Sequence, residues 1–207
     1  KIPGAGANPS IKVPKFKTYE SDGIKLLSAQ STELPVVVLS LGFKGGRLIE
    51  QNDLSKAGVA QLFAAMMQED TRLHSAEEMT VMLDKLGSSI SFGTDIDETG
   101  VTVRCLKKNL QATLELLDER LLQPKFTQEA FDRLKNQKLE SIKNSKSRAA
   151  NVASVAFSKI NYGKASILGL PQTGTLESVG KIELNDIIQY YKNRKKLNKK
   201  WKYNKAV

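Results

Sequence analysis

The residues that come nearest to a catalytic centre lie between Ala57 and Thr71, where a helical segment has the spacing of a zinc site. In an H-x-x-E-H motif, two histidines four residues apart share one helix face and bind Zn²⁺, and the glutamate between them activates the bound water. The three corresponding positions here are Gln61, Ala64 and Ala65. The alanines cannot bind a metal or accept a proton, and the neutral amide of Gln61 is a poor zinc ligand. A helix with these three residues at the motif spacing could neither bind zinc nor activate water.

The residues around these positions resemble the signature helix of the pitrilysin/insulinase (inverzincin) family of zinc metallopeptidases. The family pattern is G-[LI]-A-H-x-x-E-H-[ML], followed by a turn that ends in threonine. The matching residues are Gly58, Val59, Ala60, Met66, Met67 and Thr71. The resemblance implies a family domain with a degenerate motif. We predict that it has no catalytic residue and no bound metal, and we expect zinc only in a partner domain.

The third zinc ligand of the family is a glutamate on a later helix. The spacing places Ser141 at this position, and Glu140 lies one residue earlier, about 100° away around a helix. The resemblance therefore gives four degenerate positions, which are Gln61, Ala64, Ala65 and Ser141. An ordinary packing role also explains the first helix, because Val59, Leu62, Phe63, Met66 and Met67 recur with the period of an amphipathic core helix.

A second candidate for metal chemistry is His74, the only histidine of the chain, which has H-x-x-E spacing to Glu77. Ser75 and Glu78, however, form the pattern of a capping box ahead of an apolar run. We therefore predict that Ser75 begins a helix that contains Met79. An active peptidase with unorthodox ligands such as His74, Glu77 or Glu140 is an alternative, but the spacing places these residues on different helices.

Size and composition allow one well-formed core, since the chain has 207 residues of which 40% are hydrophobic. We predict no transmembrane helix, because the sequence has no apolar run of sufficient length. The start at Lys1–Gly6 has no apolar core region, so no signal peptide is predicted, and we expect the chain to be a piece of a longer protein. The single cysteine, Cys105, excludes an internal disulfide. The expected location is periplasmic or otherwise extracytoplasmic in a bacterium.

The net charge of +10 is concentrated at the end of the chain. Between Lys192 and Val207 there are eight basic residues and no acidic residue, which leaves about +2 on the remainder. The body therefore offers no evident nucleic-acid surface, and we predict no nucleic-acid partner. The family has an apolar strand where this chain has lysines, so the basic tail is interpreted as a frayed or extraneous end or as an anion-binding segment.

Hydrophobic periodicity and turn residues predict the element order β-β-α-α-β-β-α-α-α-α. We predict strands at Ile24–Ala29 and Val36–Phe43, the second buried on both faces, and a hairpin of strands at Ser88–Phe92 and Gly100–Leu106. The helices include one capped by Thr127, and a glycine-rich loop occupies 162–175. This order predicts an α+β fold, a mostly antiparallel sheet with helices packed on one side. Residues 1–20 are predicted to be a connector, 21–194 the domain and 195–207 a basic tail, possibly disordered or extraneous.

Members of the family pair homologous domains of this size around a peptide-filled chamber, and usually one domain carries the zinc. The resemblance thus implies a non-catalytic domain that helps to form the chamber, either in an inactive second half or in an inactive partner subunit. Its expected partners are a homologous peptidase domain or subunit and a peptide substrate. The alternative is a structural scaffold subunit without a role in peptide processing, as in family members that serve a respiratory complex.

Overall fold

The computed structural model describes residues 15–21, 24–30 and 33–197. The strands are β1 (Phe16–Ser21), β2 (Ile24–Ala29), β3 (Val36–Lys44), β4 (Ser89–Thr94) and β5 (Glu98–Leu106). The helices are α1 (Val59–Met66), α2 (Ala76–Lys85), α3 (Leu110–Leu122), α4 (Gln128–Ser145), α5 (Ala149–Tyr162), α6 (Leu176–Lys181) and α7 (Leu184–Leu197). The chain divides into two units, of which the larger is Val36–Lys199.

The smaller unit contains an antiparallel hairpin of β1 and β2, in which Phe16 lies opposite Ala29 and Ser21 opposite Ile24. The strand predicted at Ile24–Ala29 is confirmed. The predicted connector at 1–20 differs from the structure, because its last residues form β1. The prolines of this region end at Pro14, so the backbone that follows can donate hydrogen bonds to a neighbouring strand. Residues 1–14 lie outside the described part of the chain.

The larger unit contains a three-stranded antiparallel sheet in the order β3-β5-β4. Val36 lies opposite Leu106, and Ser89 lies opposite Arg104. The prediction that β3 is buried on both faces is wrong, since its residues alternate along the strand and Val38 is 55% exposed. Helices cover one face of this sheet, so only every second side chain of β3 meets the core.

Two clusters of buried side chains form the core of the larger unit. In the first, α2 and α3 pack on the inner face of the sheet through Met79, Leu83 and Leu117, against Val101 and Val103 of β5. The second joins α1 to α4, α6 and α7, and it includes Leu62, Phe63, Met66, Phe131, Ile142, Val179, Ile187 and Tyr190. The predicted α+β architecture, with its antiparallel sheet and helices on one side, is confirmed.

Several local predictions are also confirmed. The hairpin strands are slightly longer than predicted, Thr127 caps α4 by accepting the backbone N–H of Ala130, and Ser75 and Glu78 form the capping box of α2. Helix α7 extends to Leu197, three residues into the predicted tail, and 198–207 lie outside the described residues. Among the helices of the described residues, none is long and apolar enough to cross a membrane.

Candidate functional site

The site is built on the first turn of α1, which a buried carboxylate caps. Glu50 is 4% exposed, and its two carboxylate oxygens accept the backbone N–H groups of Gly58 (3.0 Å) and Ala60 (2.8 Å). These N–H groups have no partner within a helix and would otherwise be unsatisfied in the core. Burial raises the pKa of Glu50, and the two N–H donors and Arg47 partly oppose this rise. The carboxylate therefore fixes where the signature helix begins.

Arg47 joins this helix start to the glycine-rich loop. Its guanidinium donates from one terminal nitrogen to the carbonyl oxygens of Ile167 (2.6 Å), Leu170 (2.8 Å) and Pro171 (3.2 Å). Desolvation lowers the pKa of the buried Arg47, and the carboxylate of Glu50 acts in the opposite direction. The sequence gives little sign of this role, because Arg47 follows a Gly-Gly pair that marks only the end of a strand.

Two glycines allow the loop to reach the helix start. Gly58 has a φ of +101°, and a Cβ there would lie 2.9 Å from the carbonyl oxygen of Thr173. Gly174 has a φ of +75°, and a Cβ there would lie 2.3 Å from the carbonyl oxygen of Ala57. Both positions need the left-handed backbone and the missing side chain of glycine. The loop is therefore packed backbone to backbone against the beginning of α1.

The degenerate motif positions lie on α1 as the spacing predicts. Ala64 is buried, whereas Gln61 and Ala65 are half-buried. The side chain that meets Gln61 comes from α4, where Lys138 donates from Nζ to Gln61 Oε1 at 2.8 Å. Burial lowers the pKa of Lys138. An ammonium group thus lies beside the position of the first zinc ligand, and the sequence spacing alone did not identify it.

The structure does not bring Ser141 to the motif. Ser141 is exposed on α4, and its neighbour Ile142 is buried in the cluster that joins α4 to α1. Glu140 is also exposed, and its carboxylate accepts a hydrogen bond from Lys143 at 2.6 Å. A helix turns by about 100° per residue, so Ser141 lies about 100° around α4 from the buried Ile142. The α4 residues that meet α1 include Lys138, which bonds to Gln61, and Ile142, which is buried in the shared cluster.

His74 belongs to a structural network away from the motif. Its Nδ1 lies 3.0 Å from both carboxylate oxygens of the buried Glu119 on α3. The same carboxylate accepts a hydrogen bond from the hydroxyl of Thr71. Glu77, the partner suggested by the H-x-x-E spacing, is exposed in the first turn of α2. The network ties the turn after α1 to α3.

The donor atoms at this centre do not fit zinc. Across 15–21, 24–30 and 33–197, no three residues of the types His, Cys, Asp and Glu come close enough together to hold a metal ion. At the motif itself, the ammonium of Lys138 is a positive charge next to the one remaining polar side chain, Gln61. A cation at that place repels a second cation. We therefore derive no catalytic step through a metal at this centre.

Strand β4 lies beside the motif helix and forms one edge of the sheet, where no other strand of the described residues pairs with it. Asp95, just after β4, donates its N–H to the Glu98 carbonyl (2.7 Å), and in an antiparallel pair every second residue bonds to the partner strand in this way. The residues between them, Ile90, Phe92 and Thr94, therefore direct their backbone N–H and C=O groups away from β5. The Gln172 amide donates to the Thr94 carbonyl at 3.2 Å. The remaining edge is suited to pairing with an extended chain.

An antiparallel α+β domain with a capped H-x-x-E-H-type helix, in which every ligand position is replaced, is a metallopeptidase-type domain without the catalytic motif. Comparison with known families agrees with this class. The model of the insulinase family, peptidase family M16, matches residues 25–168. The chain therefore belongs to peptidase family M16.

Two relatives of this chain are described as lacking peptidase activity. The chain is 28% identical over 166 residues to a Helicobacter pylori protein named non-peptidase homolog YmxG, a match that covers 80% of this chain and 38% of that protein. It is 25% identical to the crystal structure of a peptidase M16 inactive domain from Pseudomonas fluorescens, with a TM-score of 0.77 over 86% of this chain and 43% of that one.

A crystal structure of a protease from Helicobacter pylori shares the fold, with 17% identity and a TM-score of 0.75 over 87% of this chain and 43% of that one. The chain thus spans less than half the length of these relatives.

Proposed function

We propose that this chain is a non-catalytic domain of a metallopeptidase assembly of family M16, in which it forms a wall of a peptide-binding chamber with a homologous catalytic domain or subunit. The observation that carries the proposal is the signature helix itself. Glu50 still caps it and the core still packs around it, although Gln61, Ala64 and Ala65 have replaced the ligands and the base. A helix kept in this form without its chemistry supports a binding or structural role.

The contact between Lys138 and Gln61 also supports a non-catalytic role. The ammonium group supplies a positive charge near the motif, but it provides neither an open metal coordination position nor a base that could activate water. We therefore propose that any zinc of the assembly is bound by the partner domain. The relatives named above as non-peptidase and inactive agree with this proposal.

We propose that an extended peptide pairs with the free edge of β4. Strand addition needs outward backbone N–H and C=O groups, and Ile90 and Phe92 present them next to α1. The side chains that would flank such a peptide on the outer face of the sheet are small, since Ser91 is exposed and a Cβ at Gly93 would meet nothing within 4 Å. The edge can therefore accept peptides of varied sequence.

The experiment is a binding measurement by fluorescence anisotropy with an array of labelled, random-sequence 12-residue peptides. Gln172 occupies only the carbonyl oxygen of Thr94, so the outward N–H of Thr94 can still donate to a peptide that pairs along Ile90 and Phe92. Thr94→Pro removes this N–H without breaking the pairing with β5, so we expect it to weaken binding at least about fivefold. The matched control is Thr94→Val, which removes the same hydroxyl and keeps the N–H. We expect Thr94→Val to bind like the wild type. Mass spectrometry of the same peptides after incubation with zinc should find them intact.

The outcomes separate the two candidate roles. Equal binding by Thr94→Pro and Thr94→Val would reject the β4 edge as the peptide site. An absence of peptide binding in the wild type would favour the structural scaffold role, and cleaved peptides would contradict a non-catalytic domain. We also propose a periplasmic or otherwise extracytoplasmic location in a bacterium, which cell fractionation would test.

A further inference from the structure

Helix α5 presents apolar side chains that the larger unit leaves uncovered. None of its residues is buried, and Val152, Phe157 and Ile160 are 52%, 67% and 84% exposed. Helices of folded proteins gain most of their stability by burying an apolar face. A contiguous apolar surface that stays exposed typically marks a site of interaction. Of these three residues, Val152 lines a groove beside the helix, so a covering surface would meet α5 on the Val152 side.

One side of α5 forms the wall of a groove of about 430 Å³. Val152 and Val155 line it on the helix side, and Leu170, Pro171 and Leu176 line it on the side of the glycine-rich loop. We call it the α5 groove. Its shape is concave and its lining is mainly apolar, which suits the side chains of a polypeptide better than the flat surface of a lipid bilayer.

The loop side of the α5 groove is held in place by backbone contacts. A Cβ at Gly169 would lie 2.0 Å from the carbonyl oxygen of Gly163, so the loop and the end of α5 touch directly. Arg47 binds the carbonyl oxygens of Leu170 and Pro171 from the core side. The groove is therefore largely preformed, and an occupant would not have to order the loop.

The charge around the α5 groove is of one sign. Lys146 and Lys159 line it, and no acidic residue occurs between Ser141 and Leu176. The basic residues in this stretch are Lys143, Lys146, Arg148, Lys159 and Lys164. An occupant that carries carboxylates would complement this surface, whereas a basic occupant would be repelled.

Residues 1–14 and 198–207 have the wrong charge to occupy the groove. Residues 1–14 contain two lysines and no acidic residue, and 198–207 contain four lysines and no acidic residue. Neither segment complements a cationic groove. The occupant is therefore sought outside residues 1–207.

We propose that the α5 groove binds an acidic amphipathic helix that lies outside residues 1–207. Apolar side chains spaced i, i+3 and i+4 on that helix enter the groove between Val152 and Leu170, and its carboxylates face Lys146 and Lys159. The groove and the β4 edge lie against different residues of the glycine-rich loop, whose Gln172 lines the β4 side. The inference does not depend on peptide pairing with β4.

The test is selection from a displayed library of random 16-residue peptides on the full chain, with counter-selection on Val152→Glu. We expect the enriched peptides to carry net negative charge and to show apolar residues at helical spacing. Their affinity should fall at least about tenfold in Val152→Glu and should weaken with added salt. The matched control is Val81→Glu, a valine on α2 that is 46% exposed and lies outside the groove. It should leave the affinity unchanged.

Four results would overturn the inference. One is enrichment of neutral or basic peptides, and another is an equal loss of affinity in Val81→Glu. A third combines two findings: no peptide is enriched, and the wild type binds vesicles containing 30% phosphatidylglycerol whereas Val152→Glu does not. The occupant is then a membrane surface. The fourth is a dimer in sedimentation velocity that Val152→Glu dissociates, because the occupant is then a second copy. Circular dichroism of both variants is measured first, and only variants that keep the wild-type spectrum enter the comparison.

Discussion

Replacing Glu50 tests whether a buried carboxylate determines the start of the signature helix. Glu50→Ala leaves the N–H groups of Gly58 and Ala60 without their acceptor and leaves the buried Arg47 without its neighbouring negative charge. Each buried N–H that loses its partner costs roughly 1–3 kcal/mol, so we expect a loss of about 3–5 kcal/mol in the free energy of unfolding. Glu50→Gln keeps one oxygen acceptor, so we expect it to cost about 1–2 kcal/mol.

The assay is urea unfolding followed by circular dichroism at 222 nm. The control is Glu140→Ala, which removes an exposed carboxylate of a surface ion pair and should change stability by less than about 0.5 kcal/mol. If Glu50→Ala costs no more than Glu140→Ala, the carboxylate does not support the helix start and the reasoning is refuted.

The same residue predicts a pH dependence with a definite sign. The pKa of Glu50 is higher in the folded state than the ordinary value of 4.5, because burial disfavours the charged form. Between the two pKa values the folded state binds more protons than the unfolded state, so this group makes stability fall as pH rises through that window. We expect Glu50→Gln to remove this decrease, which unfolding curves measured from pH 4 upwards would show. A variant that keeps the same slope as the wild type would contradict the assignment to Glu50.

Two further predictions concern the motif helix. Gly58→Ala places a Cβ 2.9 Å from the Thr173 carbonyl oxygen at a positive φ, so we expect a loss of about 1–3 kcal/mol in urea unfolding, and a loss below about 0.5 kcal/mol would contradict the close approach of the loop. The triple variant Gln61→His, Ala64→Glu, Ala65→His should not cleave a fluorogenic peptide efficiently, because Ile142 and Lys138 offer no third ligand near α1. Efficient hydrolysis by that variant alone would overturn this expectation.

The sequence is informative where the relevant contacts are local. The capping box at Ser75 and the cap at Thr127 depend on neighbours three residues away, and both form as predicted. The positions Gln61, Ala64 and Ala65 follow from the resemblance of residues 58–71 to the family's signature helix. Local pattern therefore predicts the elements, and the family resemblance identifies the motif as degenerate.

The contacts that surround the motif could not be predicted from local sequence patterns. Lys138 reaches Gln61 from a helix 77 residues further along the chain, and Arg47 meets Ile167 across 120 residues. Only the tertiary packing of α1 against α4 and against the loop brings these groups together. The assignment of the third ligand position to Ser141 stays a prediction, and the structure places this residue on the exposed side of α4. We predicted that β3 is buried on both faces, and one face is exposed. A run of β-branched residues predicts a strand, but it does not show whether a second layer covers the sheet.

The central claim is that this domain holds no catalytic zinc, and the most direct measurement is the metal content of the purified chain. The chain is loaded with zinc, washed with a weak chelator and analysed by elemental mass spectrometry against an unloaded sample. We predict far less than one zinc per chain, because no suitable set of ligands occurs in the described residues and Lys138 lies beside Gln61. One tightly held zinc per chain would contradict the account and would reopen the question of catalysis.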